Sequence, residues 1–576
     1  MNKKDRDLRG IFSELINIGK LAKRYGSLIV MYTVLALVGT VFSLLTSLAY
    51  QSLIDFVIKS TNENSLLKFT TVSQVVAAAV SFTVFSIVFS ALNSRISEKI
   101  RIKINTEMTA DIFDSFICSQ WEYTSLYSSG DILNRFNNDV GTIASSVIGI
   151  LPNFIAKMFQ FAGAFFVIFH YDRIMALIAL VTIPLSLIFS RLLIKKMHTY
   201  AKEIKKINSK LMAFNSDALL NMQYLKSFGI VSIFCMNLRK LQREYVKLDL
   251  DYNKFTVLIT SVMSFITQMV SYACFGWGVY RLWTGFISYG TLVLFIQLYS
   301  MLSSSFSSLI NIVPTLINAC AASERITEIK NLPKDDSLDD PKAVEFFDMH
   351  KNESLSVDLN NISFRYMGDE EDALKDVSFH SETGDFTALT GPSGEGKTTL
   401  LRILLALVTP QDGVCKISSV GSSEHVHLSP STRRFFAYVP QKNTMFGDTL
   451  AANMRLIKPD ATDEEICEAL KIACAYDFVV KEKDGINCNI GDGGVGFSEG
   501  QMQRLSLARA VLRDAPINLF DEATSALDID TEKQVLENLS EWGKNKICIF
   551  TTHRTSVFEV CNKAYAVTDC SCTPIM

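Results

Sequence analysis

The stretch Gly391-Pro392-Ser393-Gly394-Glu395-Gly396-Lys397-Thr398 places two glycines around four residues, then a lysine and a hydroxyl residue. That is the spacing of a phosphate-binding loop. The run before it, Phe386 to Thr390, reads as a buried strand, and the run after it, Thr399 to Leu407, as a helix. The motif requires this setting. Glycines let backbone N–H groups curl around phosphate oxygens, and a helix N-terminus adds partial positive charge. Lys397 is then placed to reach the β- and γ-phosphates, and Thr398 to ligate Mg²⁺. The plainer alternative is a glycine-rich turn, and the motifs around it separate the two.

Of the 576 residues, 48% are hydrophobic and only 20% are charged. Long uncharged stretches are confined to the first half, which divides the chain into a membrane part and a soluble part. The net charge of −3 points to no nucleic-acid partner. The 12 cysteines form no CxxC pair and no Cys/His cluster with zinc spacing, and Cys570-Ser571-Cys572 reads as a frayed tail rather than as a metal site. The N-terminus, with Lys3, Lys4, Arg6 and Arg9, lacks the pattern of a cleavable signal.

Six apolar stretches are long enough to span a bilayer, at about 20 residues each. They lie near Leu28–Val57, Thr71–Leu92, Ile143–Phe169, Ile174–Leu193, Phe255–Trp283 and Thr291–Ile317. Short loops join them in pairs. Long polar helical stretches, Asn93–Thr142 and Lys195–Lys254, lie between the pairs and carry the basic residues, among them Arg95, Lys99, Arg101, Lys195 and Lys196, with Arg191 just before the second. The positive-inside rule then sets both termini and both long stretches in the cytoplasm of a multi-pass cell-membrane protein. At the tips of the two long hairpins, Ser115–Ser125 and Met212–Leu220 are candidates to press on a cytosolic domain. Lys157 is the exceptional ion within the spans, with Gln160 on the same helix face. It reads either as cavity-lining or as a snorkelling lysine. The hydroxyls Ser303, Ser304, Ser305, Ser307 and Ser308 line a cavity or allow close helix packing.

Asn331–Pro341 reads as a linker, and strand signals then alternate with helical ones, as in an α/β sheet. Tyr366 follows an early strand and offers an aromatic face for a flat base. Val439-Pro440-Gln441 ends a strand in an amide. Gly496-Phe497-Ser498-Glu499-Gly500-Gln501 opens a helix and makes a second anion site. Ile517–Glu522 is a strand ending in two acids. Asp521 there suits Mg²⁺ coordination and Glu522 suits polarising water. Ser525-Ala526-Leu527-Asp528 follows, and Ile547–Thr552 delivers His553.

The ordered set of Tyr, phosphate loop, Gln, Ser-Glu-Gly-Gln, Asp-Glu, Asp and His resembles the nucleotide-binding domain of ATP-binding cassette (ABC) transporters. With six spans before it, nearly the whole chain is similar to an exporter-type half-transporter. Gly130–Asp139 and Ala321–Ile326 also look like that family's membrane half. The resemblance implies an all-α membrane domain of six helices with long cytosolic hairpins (1–328), a linker (329–350) and an α/β P-loop ATPase domain (351–576). It implies that Gly391, Ser393, Gly394, Glu395, Gly396, Lys397, Thr398 and Thr399 hold ATP, with Tyr366 stacked on adenine. Thr398, Gln441 and Asp521 would hold Mg²⁺. Glu522 would be the general base, with His553 and Lys397 at the γ-phosphate. Ser498 and Gly500 would serve the ATP held by a partner subunit, and Gln501 and Asp528 would also bind nucleotide. So the family's mechanism demands a homodimer or heterodimer in the lipid bilayer, exporting a hydrophobic, amphipathic or peptide substrate by alternating access. An importer on the same fold, or an ATP-gated channel, stays open at this point. The host membrane is expected to be a bacterial inner or plasma membrane.

Three departures stand out. Glu499 adds negative charge to the signature motif. Asn518 is polar in a strand that is normally apolar. After Ala564 the usual glycine-containing hairpin and closing helix look shortened.

Overall fold

The computed structural model describes Gly19 and residues 23–58, 66, 67, 69–335, 339–422, 424–441, 445–490 and 496–575, with some helix side chains, 182–199 among them, left out. It divides into two compact units: residues up to Ser115 with Ser128–Asn331, and Phe116–Tyr127 with Leu332–Met576.

The first unit is all helix. Its six long elements are α1 (Gly26–Ile58), α2 (Val72–Ile117), α3 (the run Ser129–Tyr171), α4 (Arg173–Leu220), α5 (Val231–Trp283) and α6 (Tyr289–Lys330). Five helical runs among the described residues are long and apolar enough to cross a membrane. The fourth expected span, Ile174–Leu193, falls within α4, where the side chains from 182 onward lie outside the described residues. Large apolar side chains such as Val80, Ile87, Phe166 and Leu177 point outward from the spans, the mark of a lipid-facing surface. At 1.5 Å per residue, the 53 residues of α5 extend about 80 Å, far beyond the roughly 30 Å of a bilayer core.

The two ends of this bundle are tied differently. At one end Asp55 accepts from Ser288 Oγ (2.8 Å) and from the Gly290 N–H (2.9 Å). There Gly290 has no room for a Cβ, which would fall 2.4 Å from the Gln51 carbonyl oxygen. Gln51 donates to Thr291 and accepts from the Tyr171 hydroxyl, and Asp172 caps α4 while pairing with Arg281 at 2.6 Å. Farther along, the Gly130–Asp139 stretch runs from a short helix into a π-helical turn, Arg135–Asp139. Arg135 is buried between Asp131 (2.8 Å) and Glu328 (2.7 Å), and Arg325 reaches Asp131 and Asp139. These pairs fasten α3 to the tail of α6.

The second unit carries two main sheets. Four antiparallel strands, β1 (Leu355–Phe364), β2 (Leu374–Glu382), β4 (Asp412–Ser419) and β5 (His425–His427), run in the order β2-β1-β4-β5. The second sheet holds β3 (Phe386–Thr390), β6 (Phe436–Val439), β7 (Ile517–Asp521), β8 (Ile547–Thr551), β9 (Lys563–Thr568) and β10 (Ser571–Pro574), in the order β10-β9-β3-β8-β7-β6. All but the edge strand β10 are parallel. The residues of β7 and β8 are buried throughout, as expected of a parallel sheet covered on both faces.

Three local findings bear on the sequence reading. Part of the expected linker is a helix, Pro341–His350: Asp340 caps it, Pro341 starts it, and Ala343, Phe346 and His350 are buried. Asn518 is fully buried: its amide donates to the Ala515 carbonyl at 3.0 Å, while its Oδ1 finds no hydrogen-bond partner among the described residues. The C-terminal hairpin is formed but short, without a glycine, and no helix follows it among the described residues. Asp569 and Cys570 take the left-handed backbone (φ 50° and 59°) that a glycine usually supplies there.

Candidate functional site

The site is built where the parallel strands of the second sheet end. The phosphate loop leaves β3 and enters the helix α7 (Lys397–Leu404). Gly391, Gly394 and Gly396 have φ of 142°, 94° and 102°, open to glycine and strained for other residues. A Cβ at Gly391 would lie 2.0 Å from the Val567 carbonyl oxygen, and one at Gly396 would lie 2.7 Å from that of Ala373. The loop is therefore held tightly from behind. Lys397 folds over it, donating to the carbonyls of Gly391 (2.6 Å) and Pro392 (2.8 Å). Burial pulls Lys397 below the ordinary lysine range, and Glu522, Asp521 and Glu395 oppose that shift.

Asp521, at the end of β7, is buried and fully engaged. It accepts from Thr551 Oγ1 at 2.6 Å, from Tyr438 at 3.3 Å and from Thr398 Oγ1 at 3.4 Å. Burial, together with Asp521, raises the Tyr438 hydroxyl, which keeps it a donor. A buried carboxylate facing the phosphate-loop hydroxyl is the donor pair that suits a hard divalent cation. Next to it, Glu522 has φ of 48°, and its N–H is held by Thr551 at both the carbonyl (3.2 Å) and Oγ1 (3.0 Å). Gln441 Nε2 donates to Glu522 Oε2 at 2.9 Å, and His553 Nε2 lies 4.0 Å from Oε1. The structure thus brings Lys397, Thr398, Gln441, Asp521, Glu522 and His553 into one cluster.

Tyr366 is half-buried, edge-on to Phe364 at 4.9 Å. Its hydroxyl pairs with Thr399 Oγ1 at 3.1 Å and accepts from Arg402 at 2.7 Å. Arg402 in turn lies over the ring of Trp121, 4.7 Å from its centroid. Trp121 sits in the hairpin tip Phe116–Tyr127, which belongs to the ATPase unit although its sequence interrupts the membrane half. The tip is fixed by backbone bonds from Gln120 to Pro333 and from Asp335 to Cys118, both 2.9 Å. The tip Met212–Leu220 lies in the first unit, with Met212 and Leu219 exposed.

Ser498, Gly500 and Gln501 open the helix α8 (Glu499–Arg513). Ser498 and Gln501 form a reciprocal capping box, 3.3 and 2.7 Å, so the Gln501 side chain serves its own helix end. Asp528 caps the helix α9 (Ile529–Trp542) by accepting from the Thr531 N–H, which lowers its pKa. Ser393 and Glu499 are exposed. Sequence reasoning did not single out Thr551, Tyr438, Arg402 or Gln503. Gln503 donates to Ser525 (3.0 Å) and accepts from the Ala526 N–H (2.9 Å), lacing α8 to the loop after Glu522. Gln503 stands two residues beyond Gln501 in the signature run, which was the available signal.

A glycine-built phosphate loop, a strand-end carboxylate pair and a bundle of lipid-exposed helices define a membrane-bound P-loop ATPase. Residues 29–306 match the family model for the ABC transporter transmembrane region, and residues 374–525 match that for ABC transporters. A putative export ATP-binding/permease protein of Rickettsia typhi is 29% identical over 546 residues, covering 92% of this chain and 90% of that protein. A putative multidrug export ATP-binding/permease protein of Bacillus subtilis is 26% identical over 464 residues, 80% of this chain and 78% of its own length. The solved structure of a bacterial Atm1-family ABC exporter with ATP bound has the same fold. Its TM-score is 0.80 at 20% identity, over 95% of this chain and 94% of that one. The chain belongs to the ABC transporters, as an exporter-type half-transporter with its membrane region and ATPase fused. It is a nucleotide-binding, multi-pass membrane protein that couples ATP hydrolysis to export.

Proposed function

We propose that two such chains, or this chain and an unlike relative, enclose two ATP molecules between their ATPase units and export an amphipathic molecule from the cytoplasm. The observation that carries the reading is the intact cluster of Lys397, Asp521, Glu522, Gln441 and His553 at the ends of the parallel strands. In it Glu522 takes the proton of the attacking water at Oε1, while Gln441 steadies the other carboxylate oxygen. Lys397 neutralises the phosphates, and His553 contacts the γ-phosphate from beside Glu522. Thr398 and Asp521, with the Gln441 carbonyl, would hold Mg²⁺, which supplies charge against the developing negative phosphate oxygens. Tyr366 stacks on adenine.

Ser498 and Gly500 serve the partner's nucleotide, with Asp528 beside them. The support is that α8 presents an exposed N-terminus whose Ser498 bonds to Gln501 rather than to its own phosphate loop. The hairpin tips carry closure of the ATPase units to the membrane helices, the first through Trp121 and Arg402. Both termini are cytoplasmic in this reading, and the host membrane is a bacterial plasma membrane. A complete hydrolytic cluster favours a pump over a gate, which has no need of turnover. Substrate-stimulated ATPase activity in liposomes tests this. Glu522→Gln is expected to remove it by two to four orders of magnitude while ATP still binds. Substrate should accumulate inside inverted vesicles, and accumulation only in right-side-out vesicles would reverse the direction assigned.

A further inference from the structure

The first unit holds a groove of about 480 Å³ between α1, α3 and α6 that the ATPase chemistry does not use. Ser47, Gln160, Gln297, Ser300 and Ser304 give it a polar side, and Ile296 and Met301 an apolar one. Lys157 donates from Nζ to Gln160 Oε1 at 2.9 Å. On α3, Lys157, Gln160, Ala164 and Ile168 follow helical spacing along one stripe. Ala164 and Ile168 are fully buried, so that stripe faces the bundle rather than lipid. At 1.5 Å per residue Lys157 lies about 21 Å along the helix from Tyr171, inside a core of roughly 30 Å and about 9 Å short of its far face.

The six apolar stretches contain a single acidic residue, Asp55. Asp55 is held by Ser288 and Gly290 where α6 begins, far from Lys157. The ammonium therefore stands within the membrane span with a neutral amide as its hydrogen-bond partner, and among the described residues no carboxylate pairs with it. An ion in that position is stabilised when a ligand brings the opposite charge. Amides and hydroxyls beside it supply the hydrogen bonds that an anionic head requires.

We propose that this groove takes the acidic head, carboxylate or phosphate, of an amphipathic cargo, with Lys157 and Gln160 as the anion-binding pair. This rests on the export reading above and names its substrate class. The test uses the full chain in phosphatidylcholine nanodiscs and a matched pair of probes, N-dodecanoylglycine and its methyl ester. The acid is expected to stimulate ATPase activity at a half-maximal concentration at least tenfold below that of the ester. Lys157→Gln is expected to bring that ratio to about one, Lys157→Arg to keep it, and Ser300→Ala to reduce it. A parallel arm replaces phosphatidylcholine with phosphatidylglycerol and omits the acid. Stimulation there that Lys157→Gln abolishes means a bilayer lipid supplies the same anionic head. Equal responses to acid and ester, no response to the acid, or an unchanged ratio in Lys157→Gln overturns the proposal. The export reading fails separately, when no ATP-driven uptake sensitive to Glu522→Gln is seen for any amphiphile.

Discussion

Thr551 is the strongest lever on the hydrolytic cluster, although it touches no nucleotide in the proposed arrangement. Its hydroxyl donates to Asp521 at 2.6 Å and accepts from the N–H of Glu522 at 3.0 Å. One side chain thus orients the buried carboxylate and pins the left-handed backbone of the proposed base. Thr551→Val keeps the volume and β-branching and deletes only the hydroxyl. Losing the bond to a charged group costs about 1.5–3 kcal/mol, and losing the backbone bond costs about 1. Together that is about 3 kcal/mol, or roughly 100-fold in kcat/KM at about 1.4 kcal/mol per decade. The assay is ATPase turnover of the full chain in proteoliposomes across a range of Mg²⁺ concentrations. Thr551→Val is expected to raise the Mg²⁺ requirement as well as to lower turnover, and Thr551→Ser to stay near wild type. A Thr551→Val protein with kcat/KM within threefold of wild type refutes the reasoning. So does a Thr551→Ser protein as impaired as the valine variant, because the methyl group would then be what matters.

Three further outcomes follow from the geometry. Trp121→Ala removes the ring under Arg402, a contact worth about 0.5–2 kcal/mol. It is expected to blunt stimulation of the ATPase by transported amphiphile more than its basal rate, seen by comparing the two rates in one preparation. Glu499→Gly removes a negative charge from the first turn of α8. It is expected to lower the ATP concentration for half-maximal turnover several-fold, with the effect shrinking in high salt. His350 bridges Glu353 (2.6 Å) and Glu424 (2.7 Å), whose hydrogen bonds raise its pKa above the ordinary histidine value. A raised folded-state value means its stabilisation is complete below about pH 6.5 and is lost as pH climbs through the folded value. Thermal melts should show that loss on the alkaline side in wild type and a flatter profile in His350→Gln.

The residues legible in the sequence are those whose chemistry is written in local spacing. The phosphate loop, the Asp521-Glu522 pair and the apolar stretches each occupy one contiguous run, so pattern alone locates them. The supporting residues were not legible because register chooses them. Thr551 meets Asp521 only because β8 pairs in parallel with β7, Thr551 opposite Asp521. A neighbouring Thr552 has the same chemistry in the sequence and lacks that position. Trp121 belongs with the ATPase unit through bonds to residues beyond Lys330, which no periodicity in Ser115–Ser125 announces. Gln501 and Asp528 show the reverse effect. Their motif positions suggested nucleotide contacts, and within the single chain their side-chain atoms cap helices. That gives both a physical task before any partner arrives. Capping fixes the direction of α8 and α9, and in the proposed dimer an aligned helix end is what a partner's phosphate needs to find already in place. If the cap is the prerequisite, Gln501→Ala should impair nucleotide-dependent pairing even where no nucleotide contact is lost. Gln501→Glu, which can also complete a capping box, should preserve pairing better than alanine despite its added charge.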